Sequence, residues 1–94
     1  MDFSFRPAKD VSVESINAAL TAAAQGPLKG VLAVETKELV SVDFNGNTNS
    51  SVVDSECTMV VNPRMAKVMS WYDNETGFSH RMVDFALHMQ QKGL

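Results

Sequence analysis

The apolar positions of the chain fall into blocks of two periods. Asp2 to Arg6 alternates polar and apolar, with Phe3 and Phe5 on one side, and Pro7 closes the run. This predicts a short strand. From Val13 the period lengthens: Val13, Ile16, Leu20 and Ala23 recur at helical spacing in an alanine-rich stretch. Ser12 stands where an N-cap belongs, and Val11 and Ile16 where a hydrophobic staple would place them. Gly26 and Pro27 end the segment, so a helix is predicted over 13–25.

Val31 to Val34 is a short apolar run after Gly30 and predicts a buried strand. Leu39 to Phe44 alternates, with Val40, Val42 and Phe44 facing one way and Ser41 and Asp43 the other, which predicts another strand. Asn45-Gly46 and the polar residues to Asn49 mark a turn. From Ser51 the pattern is β again. Thr58 to Val61 and Ala66 to Tyr72, separated by Asn62-Pro63-Arg64-Met65, predict an antiparallel hairpin. Thr76-Gly77 opens a second helix whose Phe78, Met82, Phe85, Ala86 and Met89 form one stripe, with Lys92 and Gly93 at its end. The order strand, helix, several strands, helix predicts an α+β fold: a mixed, mainly antiparallel sheet with two principal helices packed on it. Residues 1–94 carry no repeat, linker or low-complexity segment and read as one unit.

Composition narrows the function more than the fold. Apolar residues make up 45% and charged residues 20%, as in a globular chain. The net charge of −3 argues against nucleic acid or an anionic membrane as partner, since both require a basic face. No apolar run is long enough to cross a bilayer. The single cysteine, Cys57, excludes an internal disulfide and, with no signal peptide, suits a reducing cytoplasm. Asn49 and Asn74 each begin an N-x-S/T triplet, read here as coincidental.

Candidate chemistry is sparse. Cys57 lies near the start of a predicted strand, without the helix N-terminus or paired histidine that activates a thiol, and reads as a small side chain. His80 and His88 are roughly 80° apart around a helix axis, too far to share a metal easily, and no metal-ligand spacing occurs. No phosphate loop or dinucleotide fingerprint occurs. The informative segment is Ser70 to His80, SWYDNETGFSH, which runs from a strand into a helix. Such junctions tend to form pockets, and the Asn74 carboxamide could pair with another carboxamide or merely belong to the capping turn. Asp73 and Glu75 favour the helix dipole without needing a catalytic role.

SWYDNETG, followed by an aromatic residue, Ser and a helix with Arg-Met-Val-Asp, resembles the C-terminal signature of phosphorylating glyceraldehyde-3-phosphate dehydrogenases. The stretches SVESINAALTAAAQGPLKGVLAV and LVSVDFNGNTNSSVVD resemble the blocks that precede it in that family, in family order from about Val11 to Met89. The related erythrose-4-phosphate dehydrogenases share much of the pattern. The resemblance implies a partial catalytic domain, roughly the last quarter to third of a glycolytic, NAD-dependent oxidoreductase subunit, with no Rossmann domain of its own.

The resemblance also implies site residues. Asn74 matches the asparagine that binds the nicotinamide carboxamide, and Phe78 matches an aromatic position near it, usually Tyr. Tyr72 and Glu75 match supporting residues. His80 stands where Asn is common, and Cys57 where a small residue is usual. Cys57-Thr58 does not match the family nucleophile, which comes much earlier in the chain. No catalytic or metal-binding residue is therefore assigned. The chain is expected to be inactive alone, with NAD bound in the complete subunit and not tightly by this chain by itself. An alternative function is a non-catalytic assembly module, whose partners are further copies of the chain or a complementary dehydrogenase subunit.

Overall fold

The computed structural model describes residues 1–94. The elements are β1 (Asp2–Phe5), α1 (Val13–Gln25), β2 (Leu32–Glu35), β3 (Ser51–Asp54), β4 (Met59–Asn62), β5 (Met65–Trp71) and α2 (Thr76–Gln91). Short 3-10 turns at Ser41–Phe44 and Ser55–Cys57 flank β3. β5 is the spine of the sheet. β1 runs antiparallel along one edge, from Asp2 opposite Met69 to Phe5 opposite Ala66. The other edge is shared: β4 pairs with its first half and β3 with its second, both antiparallel. β2 extends the sheet beyond β3 in parallel. The fold is the α+β class expected, with one parallel pair in a mainly antiparallel sheet.

Alternation along β5 assigns the faces. Ala66 and Val68 are buried against Ile16 of α1, and Phe5, Val11, Leu20 and Val60 close round them. Burying a side chain the size of Ile16 contributes about 1.5–3 kcal/mol. α1 forms where the pattern placed it, over Val13–Gln25. Ser12 Oγ accepts from the Ser15 N–H at 3.1 Å, and Ser15 Oγ accepts from the Ser12 N–H at 2.8 Å, a reciprocal capping box. Trp71 lies on the opposite face. There Phe44 stacks on it at 5.4 Å between ring centroids and 8° between planes.

One predicted strand is absent. Residues 39–44 alternate but have no strand to pair with, and Ser41–Phe44 is a 3-10 turn. Asp43 Oδ2 accepts the Val40 N–H at 2.9 Å, and the Asp43 N–H donates to the Val40 carbonyl at 3.0 Å. A local carboxylate thus offers the backbone an alternative to a ladder. Only Phe44 is buried, whereas Val40 and Val42 are 62% and 63% exposed. Cys57 ends a 3-10 turn two residues before β4, near a strand start as expected. The other strands shift by a residue at their ends.

α2 has the predicted periodicity and is fastened to the rest through its first turns. Gly77 is buried, and a Cβ there would stand 2.8 Å from the Asn49 carbonyl oxygen. Arg81 Nη1 donates to the Thr48 carbonyl at 3.2 Å and to Ser50 Oγ at 3.1 Å. Farther along, the stripe of Phe78, Met82 and Phe85 faces outward, each more than half exposed.

Candidate functional site

The segment between β5 and α2 is where sequence and geometry converge. Trp71 is held on both sides: its ring lies on Phe44, and Nε1 donates to Asp54 Oδ2 at 3.1 Å. Asp54 is itself buried and accepts the Glu56 N–H through Oδ1 at 3.2 Å. The strand therefore ends on a fixed aromatic, and the chain leaves the sheet at Tyr72, which is exposed.

Asp73 then organises the turn. Its Oδ1 accepts the N–H groups of Glu75 at 3.0 Å and Thr76 at 2.9 Å. Its carbonyl accepts the Gly77 N–H at 3.2 Å. Side-chain and backbone bonds together make Asp73 the functional N-cap, with Asn74 as the first residue of the turn. Asp73 Oδ2 also accepts the Gly46 N–H at 2.8 Å, across the chain. These backbone donors, Gly46 foremost and then Thr76, hold the Asp73 carboxyl at about 2, below its ordinary 3.8.

Because Asp73 caps the helix, the Asn74 side chain does not. Asn74 is exposed and its carboxamide makes no hydrogen bond within the chain. Phe78, in the first turn of α2, is 67% exposed. Glu75 is also exposed. His80 turns back onto its own helix, Nδ1 lying 3.0 Å from the Thr76 carbonyl. Asn74 and Phe78 thus form an open rim; the cavities of the chain lie elsewhere.

Cys57 stands apart from this rim, in a shallow pocket with Glu56, Thr58, Met59, Lys67 and Met69. Desolvation pushes its thiol above the ordinary value, and a hydrogen bond and charge from Asp54 and the charge of Glu56 add to the rise, against Lys67. Such a group is a neutral thiol at neutral pH rather than a nucleophile. No group of three or more His, Cys, Asp or Glu side chains is placed to hold a metal ion. No helix is long and apolar enough to cross a membrane.

Sequence reasoning singled out Asn74 and Phe78, read Asp73 only as favourable to the helix dipole, and gave Gly77 and Arg81 no site role. An Asp just ahead of a helical apolar pattern is itself an N-cap signal that could have found the capping role of Asp73. The long-range partners of Asp73, Gly77 and Arg81 had no sequence signal.

A family model described as the C-terminal domain of glyceraldehyde 3-phosphate dehydrogenase matches residues 1–74. A glyceraldehyde-3-phosphate dehydrogenase of Geobacillus stearothermophilus is 58% identical over 86 residues, 92% of this chain and 26% of that protein. One from Heyndrickxia coagulans is 51% identical over 94 residues, 100% of this chain and 28% of that protein. One from Trichoderma koningii is 42% identical over 92 residues, 98% of this chain and 27% of that protein. The chain thus spans about a quarter of the length of the curated relatives it matches.

Proposed function

Since the chain belongs to the glyceraldehyde 3-phosphate dehydrogenase C-terminal domain family, we propose that it shapes the nicotinamide end of the cofactor pocket in an NAD-dependent phosphorylating dehydrogenase and is inactive by itself. One observation carries this reading: the Asn74 carboxamide is exposed and free, because Asp73 has taken over the capping. A free carboxamide offers one acceptor and two donors, which complement a nicotinamide carboxamide. The residues present therefore fit that group. Two hydrogen bonds would fix the ring's plane and so the face from which hydride is accepted.

Phe78 would pack against the ring and, lacking a hydroxyl, would contribute contact alone. Tyr72 and Glu75 would support the rim. NAD, when bound, supplies the hydride acceptor. The nucleophile, the base and most of the dinucleotide's binding surface would come from outside these 94 residues, and a reducing cytoplasm suits the free Cys57.

The test is reconstitution. The purified chain, given glyceraldehyde 3-phosphate, NAD and phosphate, is expected to form no NADH. Mixed with the remaining portion of the Geobacillus relative, it is expected to restore NADH formation, and Asn74→Ala to raise the KM for NAD roughly tenfold, the loss of one or two hydrogen bonds. Turnover by the chain alone, or an Asn74→Ala mixture as good as the wild type, would overturn the reading.

The exposed stripe of α2 supports a second reading, as an assembly module. Its partner would be a second copy or a complementary dehydrogenase piece. Sedimentation showing a stable monomer at micromolar concentration, with no complex on adding the complementary piece, counts against it.

A further inference from the structure

We propose that Asp73 is the positioning residue of this junction: its carboxylate joins the turn at Gly46 to the first turn of α2 and thereby fixes the direction in which Asn74 projects. The proposal rests on the reading of Asn74 as the cofactor contact, and it adds what holds that contact in place.

Capping alone does not require what Asp73 does. Ser12 caps α1 with a single oxygen. Asp73 caps α2 with Oδ1 alone, accepting from Glu75 and Thr76, and commits Oδ2 to the Gly46 N–H, 27 residues away. The bond from Asp73 Oδ1 to the Glu75 N–H closes a ring with Asn74 as the one residue inside it. The Cα–Cβ direction of Asn74 therefore follows the orientation of the Asp73 carboxylate, which Gly46 sets from the other side. Gly46 has φ 80°, a backbone state that favours glycine.

Two further fastenings make the loop a fixed reference. Gly77 sits against the Asn49 backbone, and Arg81 donates to Thr48 and Ser50. Gly77 also donates its N–H to the Asp73 carbonyl at 3.2 Å, but neither fastening engages the Asp73 carboxylate. The Asp73 carboxylate is the side chain that bonds the loop directly to the ring around Asn74. Three backbone N–H donors also keep the carboxylate ionised at neutral pH, so the fastening persists under working conditions.

The experiment uses the 94-residue chain labelled with nitrogen-15. Asp73→Ser retains a capping oxygen, as in Ser12, but cannot reach Gly46 as well. Expected results are a Gly46 amide that exchanges roughly tenfold faster, the loss of about one hydrogen bond, and a more mobile Asn74 backbone amide by relaxation, with α2 helicity retained. A residue that merely stabilised the fold would lower the melting temperature and leave Asn74 order unchanged. That result would overturn the proposal. The wild-type chain supplies an arm that needs no variant: on acidification the Gly46, Glu75 and Thr76 amide resonances should begin to shift together toward one midpoint near pH 2. Independent titration of Gly46 would overturn the proposal. If these results hold while Asn74→Ala leaves the KM for NAD unchanged in the reconstituted mixture, the cofactor reading fails and the Asp73 fastening stands.

Discussion

The two helices are both amphipathic and both capped, yet only one is buried in this chain. α1 lays Ile16 against Ala66 and Val68, with Val11 and Leu20 alongside. α2 carries a longer stripe, but Phe78 and Phe85 are 67% and 64% exposed and the helix is held at its first turns. Periodicity therefore reports that a face was built for contact and is silent about where the contact comes from. In α1 the other surface lies within the 94 residues. In α2 the face is available to whatever completes the proposed pocket.

The comparison can be broken most severely at α1. Ile16→Ala should cost about 2–4 kcal/mol, because it opens a cavity in a small core. Urea unfolding of the chain reads it, and a cost below about 1 kcal/mol would mean that the α1 contact contributes no more than the α2 face. Gly77→Val should cost about 1–3 kcal/mol, since the added side chain meets the Asn49 backbone and forces α2 from its seat. The same unfolding curve tests it, together with loss of the slow exchange of α2's first amides. Ser12→Ala, which deletes the cap of α1, should cost about 1 kcal/mol.

Acid separates the helices by the chemistry of their caps. Asp73 is held at about 2 in the folded chain, against 3.8 ordinarily. Its stabilising contribution is therefore complete above about pH 4 and is lost as pH falls through 2. Melting of the wild type should lose ground to Asp73→Asn over that window, whereas Ser12→Ala should run parallel to the wild type. The smallest effect belongs to the exposed stripe. Phe85→Ser should change the stability of the isolated chain by less than about 0.5 kcal/mol and weaken assembly with the complementary piece. A larger loss by chemical unfolding would show that the stripe is already in use.

Legibility from sequence followed the range of the interactions. α1 could be read to the residue because its signals are local: Ser12, the Val13–Ala23 spacing and Gly26. The β4–β5 hairpin was legible for the same reason, with its turn beside its strands. Residues 39–44 misled because alternation has meaning only when a neighbouring strand supplies the ladder, and here Asp43 supplies a turn instead. The parallel pairing of β2 with β3 had no local signature. At the site, the junction drew notice to the Asn74 carboxamide, but its role and that of Phe78 came only by resemblance. Asp73 looked like an ordinary acid before a helix, because the bond that distinguishes it crosses 27 positions to Gly46.

The central strand also governs when this sheet can exist. β1 finds its partner in Ala66–Met69, and β3 and β4 find theirs along the same β5. On a ribosome, β1 and α1 must wait, with their apolar sides wet, until Ala66–Met69 has left the exit tunnel. Synthesis that stalls before the codon for Met65 would release a polypeptide with every antiparallel pairing still unmade, a natural client for chaperones.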